Sequence, residues 1–118
     1  MNAQPARAAI IAAQNDLFRL EGASTTLRGL VNVSPGVATL PFPLMEMILA
    51  SVMAFNRFTP ENDPNGEHDS GAVLMQGAEE VFWSIDYYAS DEIEELSADP
   101  ADPAQTFRVL TLRLASED

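Results

Sequence analysis

A turn-rich stretch at residues 62–71 constrains this sequence more than any other feature. It reads Asn-Asp-Pro-Asn-Gly-Glu-His-Asp-Ser-Gly, and it combines dense turn signals with the only histidine of the chain, His68. Before it the chain is apolar and roughly neutral, whereas from Glu61 on it is strongly acidic. The stretch therefore lies at a charge boundary between the two halves of the chain.

The segments on either side define the predicted elements. We predict helices at residues 3–20 and 44–58, and strands at residues 27–33, 70–76, 79–88 and 106–115. Short connections among the last three strands favour an antiparallel meander. The predicted fold class is α+β, with a small antiparallel sheet of about four strands packed against two helices. At 118 residues, the chain is expected to form a single domain over residues 1–118.

Three details of this prediction depend on local patterns. Residues 37–40, after the Ser-Pro-Gly turn at 34–36, suit a second hairpin strand or an extended segment. The first helix places Asn15 and Arg19 at the same helical spacing as Ile11 and Phe18, and Ile10, Leu17 and Leu20 are expected to widen its apolar face. The second helix is so apolar that we expect it to be largely buried. The strands at residues 70–76 and 79–88 are expected to form a hairpin that turns at Gly77-Ala78.

The charge of the chain is unusual in size and in distribution. There are 18 acidic residues against six arginines and no lysine, so the net charge is −12. Only Asp16, Glu21 and Glu46 precede residue 61, so the other 15 acidic residues lie in the second half. Such a field repels nucleic acid and anionic lipid and attracts a basic partner. The competing interpretation is solubility alone, in an acidic protein from a genome biased toward Ala and Arg or from a salty cytoplasm.

The densest acidic segment is residues 89–104, which contain no basic residue. The predicted partner-binding residues are its carboxylates: Asp91, Glu92, Glu94, Glu95, Asp99 and Asp102. We expect Ser90 to cap a short helical turn in this segment, with acidic residues at its positive end.

The polar stretch at residues 62–71 is the alternative site. Its candidate metal ligands are Asp63, Glu67, His68 and Asp69. An EF-hand is excluded, because the sixth position counted from Asp63 is His68 and not glycine. For catalysis, His68 is the candidate general base, paired with Asp69 or Asp86. No serine or cysteine nucleophile stands in a recognisable motif, so a turn that satisfies its own backbone is the competing interpretation.

Asp86 is a lone acid within an apolar strand pattern. We expect it either to pair with Arg108 or Arg113 or to lie on an exposed face, and a structural role is favoured over a catalytic one.

Several functional classes are excluded or disfavoured by composition. The chain has no cysteine, which excludes disulfides, thiolate zinc sites and cysteine nucleophiles. No apolar run is long enough for a membrane span. Gln14, Asn15 and Asp16 also interrupt the apolar run that a signal peptide would need. We therefore expect a cytoplasmic protein that binds no cofactor, and the sequence leaves its oligomeric state open.

Four motifs resemble an uncharacterised bacterial family, domain of unknown function 3768. They are Asn-Asp-Leu-Phe-Arg at 15–19, Asn-Asp-Pro-Asn-Gly-Glu-His-Asp at 62–69, Trp-Ser-Ile-Asp-Tyr-Tyr at 83–88, and Asp-Pro-Ala-Asp-Pro at 99–103 followed by Thr-Phe-Arg-Val-Leu-Thr at 106–111. The chain departs from the family pattern at Asn65 and Ser70, where aromatic residues are typical. The resemblance implies a single domain and assigns no activity. Because such small proteins are often carried on plasmids and prophages, it suggests an anti-defence role by analogy.

Two functional hypotheses follow. In the first, the protein is a non-enzymatic inhibitor of anti-CRISPR or anti-restriction type, whose acidic half mimics nucleic acid and binds the basic surface of a nucleic-acid-binding protein. It would then bind neither nucleic acid nor membranes directly. In the second, it is a small enzyme or metal-binding protein that uses residues 62–71. The first is favoured, because it accounts for the charge, whereas the second depends on one histidine.

Overall fold

The computed structural model describes residues 3–75 and 79–117. Its helices and strands are, in chain order, α1 (Ala3–Glu21), β1 (Arg28–Val33), α2 (Pro35–Ala38), α3 (Phe42–Met53), β2 (Ser70–Leu74), β3 (Glu80–Tyr88) and β4 (Phe107–Leu114). Short 3-10 turns at Pro103–Gln105 and Ala115–Glu117 flank β4. The predicted α+β class is confirmed.

The sheet has the strand order β1-β4-β3-β2. The pairs β2–β3 and β3–β4 are antiparallel, whereas β1 runs parallel to β4, so the sheet is mixed and not wholly antiparallel as expected. The cause lies directly after β1, where residues 35–38 form the short helix α2 and supply no hairpin strand. Ser34 caps this helix by accepting a hydrogen bond from the Val37 N–H at 3.2 Å. With no local partner, β1 pairs with the last strand of the chain.

The helices cover one face of the sheet, and the core lies between them. Phe18, Ile48, Trp83 and Leu112 are among its buried members. On α1 the predicted inward positions are buried, Asn15 and Arg19 included. The expected widening of this face is wrong, because Ile10, Leu17 and Leu20 are 41–56% exposed.

Helix α3 is shorter and less buried than its composition suggests. It ends at Met53, not at residue 58, and only Ile48 and Val52 are fully buried within it. The two phenylalanines beyond its end pack edge-on against Trp83, with ring centroids 5.5 Å away for Phe55 and 6.2 Å away for Phe58. Both rings therefore pack against the core from the segment that follows the helix.

The C-terminal strands follow the prediction closely. β2 and β3 form the antiparallel hairpin, whose turn at Gly77-Ala78 lies outside the described residues. β3 is flanked by β2 and β4, as expected for a central strand. Residues 89–97 form an irregular loop without a helix: Ile93 has a φ of 56°, and Tyr88 pairs with Leu96 to close the loop. The predicted cap is confirmed for one hydrogen-bonded turn, because the Ser90 Oγ accepts from the Glu92 N–H at 3.3 Å and the Ser90 carbonyl accepts from the Ile93 N–H at 3.2 Å. No helix in the described part of the chain is long and apolar enough to cross a membrane.

Candidate functional site

The sole histidine is held between two aspartates. Its Nδ1 lies 3.0 Å from both carboxylate oxygens of Asp16 on α1. A carboxylate can only accept this hydrogen bond, so in the neutral imidazole the proton sits on Nδ1 and Nε2 carries the lone pair. Nε2 lies 3.8 Å from Oδ2 of Asp63, beyond hydrogen-bonding distance. The imidazole also stacks on Phe58, with ring centroids 3.9 Å apart and planes within 3° of parallel.

The loop before β2 is shaped by its own polar side chains. The backbone N–H of His68 donates to both carboxylate oxygens of Asp63, at 3.2 and 3.3 Å. This contact fixes His68 in the left-handed region, at a φ of 55°, which non-glycine residues adopt uncommonly. Asn62 accepts from the Thr59 N–H and donates to the Arg57 carbonyl, which closes the preceding turn. The prediction that residues 62–71 satisfy much of their own backbone is confirmed for these contacts.

Arg19 fixes the carboxylate that holds His68. It forms an ion pair with Asp16, while its Nη1 donates to the carbonyls of Val52 and Phe55 at 2.9 and 3.0 Å. These carbonyls lie at the end of α3, where a cation interacts favourably with the helix dipole. Burial lowers the pKa of Arg19, and the neighbouring Asp16 opposes that shift. The ion pair therefore links α1, the end of α3 and His68.

A second buried network lies next to this pair. Asn15 donates to the Tyr87 hydroxyl at 2.8 Å and to the Glu67 carbonyl at 2.9 Å, and it accepts from Nε of Arg108 at 2.8 Å. The Tyr87 hydroxyl donates to the Glu67 carboxylate at 2.9 Å. Burial raises the pKa of Tyr87 and lowers the pKa of Arg108. Each of the four side chains thus holds another in place, and together they join α1, the polar loop, β3 and β4.

His68 and Asp63 line an open surface pocket of about 510 Å³. Its other walls are Ala8 and Ala9 of α1 and the loop residues Phe58, Thr59, Pro60, Pro64, Asn65 and Gly66. The pocket therefore presents one imidazole and one carboxylate within walls that carry no other charged side chain.

The carboxylate paired with His68 is Asp16, which corrects the predicted pairing with Asp69 or Asp86. Asp86 is exposed; its neighbour Tyr87 is on the face that reaches α1, so Asp86 points to the opposite face of the sheet. Arg108 is buried in the network on the α1 side and is not its partner. Asp69 is partly buried, and its pKa is raised first by burial and then by the charge of Glu67.

These contacts complete neither a metal site nor a catalytic site in the loop at residues 62–71. Among the described residues, no three His, Cys, Asp or Glu side chains are arranged to hold a metal ion. Asp16 orients His68 as a carboxylate orients a general base. Within the described residues, however, no hydroxyl is hydrogen-bonded to Nε2 of His68. The catalytic interpretation stays a prediction.

The six predicted partner-binding acids fall into two groups. Asp91, Glu92, Glu94 and Glu95 are exposed on the 89–97 loop, and their carboxylates make no ion pair or hydrogen bond with the residues that the structure describes. Asp99 forms an ion pair with Arg7 at 2.5 Å. Asp102 caps the turn at Pro103–Gln105, and hydrogen bonds from the Gln105 side chain and the Ala104 backbone lower its pKa.

The sequence interpretation missed the residues that hold His68 and the adjacent Glu67 in place, directly or through one another. They are Asn15, Asp16, Arg19, Tyr87 and Arg108. One signal was available: Asn15 and Arg19 interrupt the buried face of α1 at helical spacing, and buried polar side chains require partners. The sequence did not show which loop would supply those partners.

Comparison with known proteins places the chain in one family. The family model described as Protein of unknown function (DUF3768) matches residues 33–117, so the chain belongs to this family. The resemblance is confirmed for the three motifs within this range, and the motif at 15–19 lies before it. No curated protein and no solved structure matches the chain.

Proposed function

We propose that the protein is a small binding protein that docks its acidic loop, residues 89–97, on the basic surface of a nucleic-acid-binding protein. The observation that carries this proposal is the state of four carboxylates, those of Asp91, Glu92, Glu94 and Glu95. All four are exposed and unpaired among the described residues. Other exposed acids, such as Glu21, Glu46 and Glu61, are scattered along the chain, whereas these four lie within five consecutive residues.

Apolar side chains among these acids favour a protein as the partner. Leu96 is 75% exposed and Ile93 is 38% exposed, and both lie within the same loop. Protein interfaces commonly place apolar groups at the centre and charged groups at the rim. The charge would steer a basic partner toward the loop, and the apolar groups would add contact area after encounter.

The class of partner follows from the charge. Surfaces that bind nucleic acid are rich in Arg and Lys, so an acidic loop would compete for them. A nuclease or a CRISPR-type effector complex is the proposed target class, and the support for it is the analogy with proteins of mobile elements.

The test compares two variants with the same net charge. The loop variant carries Asp91→Asn, Glu92→Gln, Glu94→Gln and Glu95→Gln. The control carries Glu21→Gln, Glu46→Gln, Glu61→Gln and Glu80→Gln, which neutralise four exposed acids elsewhere. Tagged wild type and both variants are used to capture partners from bacterial lysate at low and high salt, with identification by mass spectrometry.

We expect wild type and control to retain the same nucleic-acid-binding protein at low salt and to lose it at high salt. The loop variant should not retain this protein at either salt concentration. A purified partner must then release DNA or RNA when wild type is added. Retention of the partner by the loop variant, or binding without any displacement of nucleic acid, would contradict the proposal.

A further inference from the structure

The pocket beside His68 presents two hydrogen-bond acceptors at one place. Nε2 of the neutral imidazole points its lone pair away from Asp16, because Asp16 holds the Nδ1 proton. The nearest carboxylate oxygen on that side is Oδ2 of Asp63, 3.8 Å away. Nε2 makes no hydrogen bond with any described residue, although the His68 side chain is only 30% exposed. Nε2 is not one of the fully buried polar atoms that lack a partner, so it is open to the pocket, where an acceptor without a protein donor can bind a ligand that donates.

The separation of the two acceptors defines the ligand. A single nitrogen about 2.9 Å from each acceptor can bridge two atoms that are 3.8 Å apart. The nitrogen must carry at least two N–H groups, and a positive charge would satisfy the carboxylate. A protonated primary amine meets both conditions, and so does a guanidinium group, which presents several N–H donors in one plane.

The surroundings favour a cation over an anion or a neutral ligand. His68 and Asp63 are the only ionisable residues among the pocket walls, and Glu67 and Asp69 flank His68 in the chain. Arg19 is 4% exposed and committed to Asp16 and to two carbonyls. Arg7 lines the adjoining pocket, and it is paired with Asp99. Asp63 is itself 8% exposed, so little solvent screens its charge. A phosphate or carboxylate ligand would meet repulsion in this pocket.

The pocket is also held in shape before any ligand arrives. Phe58 fixes the plane of the imidazole, Asp16 fixes its tautomer, and the His68 N–H fixes the Asp63 carboxylate. Preorganised acceptors lose little conformational freedom on binding. A purely structural role for these contacts would not explain why Nε2 has no hydrogen-bond donor within the described part of the protein.

We propose that His68 and Asp63 form a binding site for a protonated primary amine or a guanidinium group. The group can belong to a small free amine or to a Lys or Arg side chain of another protein. This site is separate from the 89–97 loop and does not depend on the proposed function, so the failure of either proposal leaves the other in place.

The test uses the His68 imidazole as its own reporter. Because His68 is the only histidine, its ring resonances are unambiguous in an NMR titration, and the pH is set where these resonances show the neutral ring. The probes are n-butylammonium and N-acetylarginine amide. N-acetylcitrulline amide, which has the same shape as the arginine probe but no charge, is the matched control ligand.

We expect both cationic probes to shift the His68 ring and the Gly66 amide saturably at millimolar concentration, and the citrulline probe to give no saturable shift. Asp63→Asn should weaken binding about tenfold, because it removes one charge-assisted hydrogen bond. Asp69→Asn removes a neighbouring carboxylate that does not line the pocket, so its effect should stay below about twofold.

Three results would overturn the site: no shift of His68 with either cation, an equal shift with the citrulline probe, or equal weakening by the two substitutions. The wild-type titration decides the first two even if Asp63→Asn fails to fold. An arginine-containing peptide that binds at least tenfold more tightly than n-butylammonium would identify a protein side chain as the ligand. Equal affinity would identify a small amine.

Discussion

Two acidic loops of this protein use their carboxylates in opposite ways. In the loop before β2, the carboxylate of Asp63 binds the His68 backbone and that of Glu67 binds Tyr87. In the loop after β3, residues 89–97, the four carboxylates have no partner among the described residues. The two loops have a similar content of acidic residues. Composition therefore does not distinguish a carboxylate with a structural role from one that is available to a partner protein.

The difference arises from what each loop packs against. The first loop lies on α1, which presents Asn15 and Asp16 at the surface it covers. The second loop is closed mainly through its own ends, by the Tyr88–Leu96 pair and by the Ala89 N–H, which donates to the Glu95 carbonyl at 2.7 Å. The hydrogen bonds that close this loop use none of its four carboxylates. The contrast predicts large effects of substitution in the first region and small effects in the second.

The largest expected effect is that of Asn15→Ala. Asn15 is fully buried and holds the Glu67 carbonyl, the Tyr87 hydroxyl and Arg108. Its loss removes one buried hydrogen bond from each of these three groups, so we expect about 3 kcal/mol lower free energy of unfolding in urea, followed by Trp83 fluorescence. Gln14→Ala is the control: Gln14 also accepts from Arg108, at 2.7 Å, but is partly exposed, so we expect about 1 kcal/mol. Equal losses would mean that the buried network is not the main source of stability.

A smaller effect on stability is expected for Asp69→Asn, and this substitution should stabilise the protein. The folded-state pKa of Asp69 is raised above the unfolded value by burial and by the charge of Glu67. The folded protein therefore binds this proton more tightly, and the charged carboxylate costs stability above the folded pKa. We expect Asp69→Asn to raise the melting temperature at pH 7 by roughly 1–3 °C.

This gain has a defined pH dependence. It should shrink as the pH falls through the folded pKa of Asp69 and disappear below the unfolded value, because wild-type Asp69 is then neutral in both states. Asp91→Asn, on the exposed loop, is the control and should show no such trend. A gain for Asp69→Asn that is independent of pH would point to shape or hydrogen bonding and not to charge.

The sequence predicts most of the elements, because their periodicity is a local property. α1 and the strands β1, β3 and β4 lie within one or two residues of their expected bounds. The parallel pairing of β1 and β4 was not predictable in this way, because it joins residues about 80 positions apart, such as Leu30 and Val109. The end of α3 at Met53 was not predicted either, because Phe55 and Phe58 continue the apolar pattern of the helix although they follow its end and contact Trp83.

The candidate site shows the same limit. The loop and its histidine are visible in the sequence, but the pairing of His68 with Asp16 joins positions 52 residues apart. Neighbouring acids such as Asp69 are the natural guess from spacing, and tertiary contact selected a different carboxylate. Asn15 and Arg19 were the available clue, because two polar residues on a buried helix face require partners from another element.

The smallest expected effect is that of neutralising the four acids of the 89–97 loop on stability. Removing four negative charges from a chain of net charge −12 relieves repulsion, so the melting temperature should rise slightly, by less than about 2 °C at low salt. The rise should vanish at high salt, because exposed charges are screened. A clear drop in melting temperature would mean that these carboxylates have structural partners after all. The contrast between the two loops would then disappear, and any loss of partner binding by the same variant would no longer separate docking from folding.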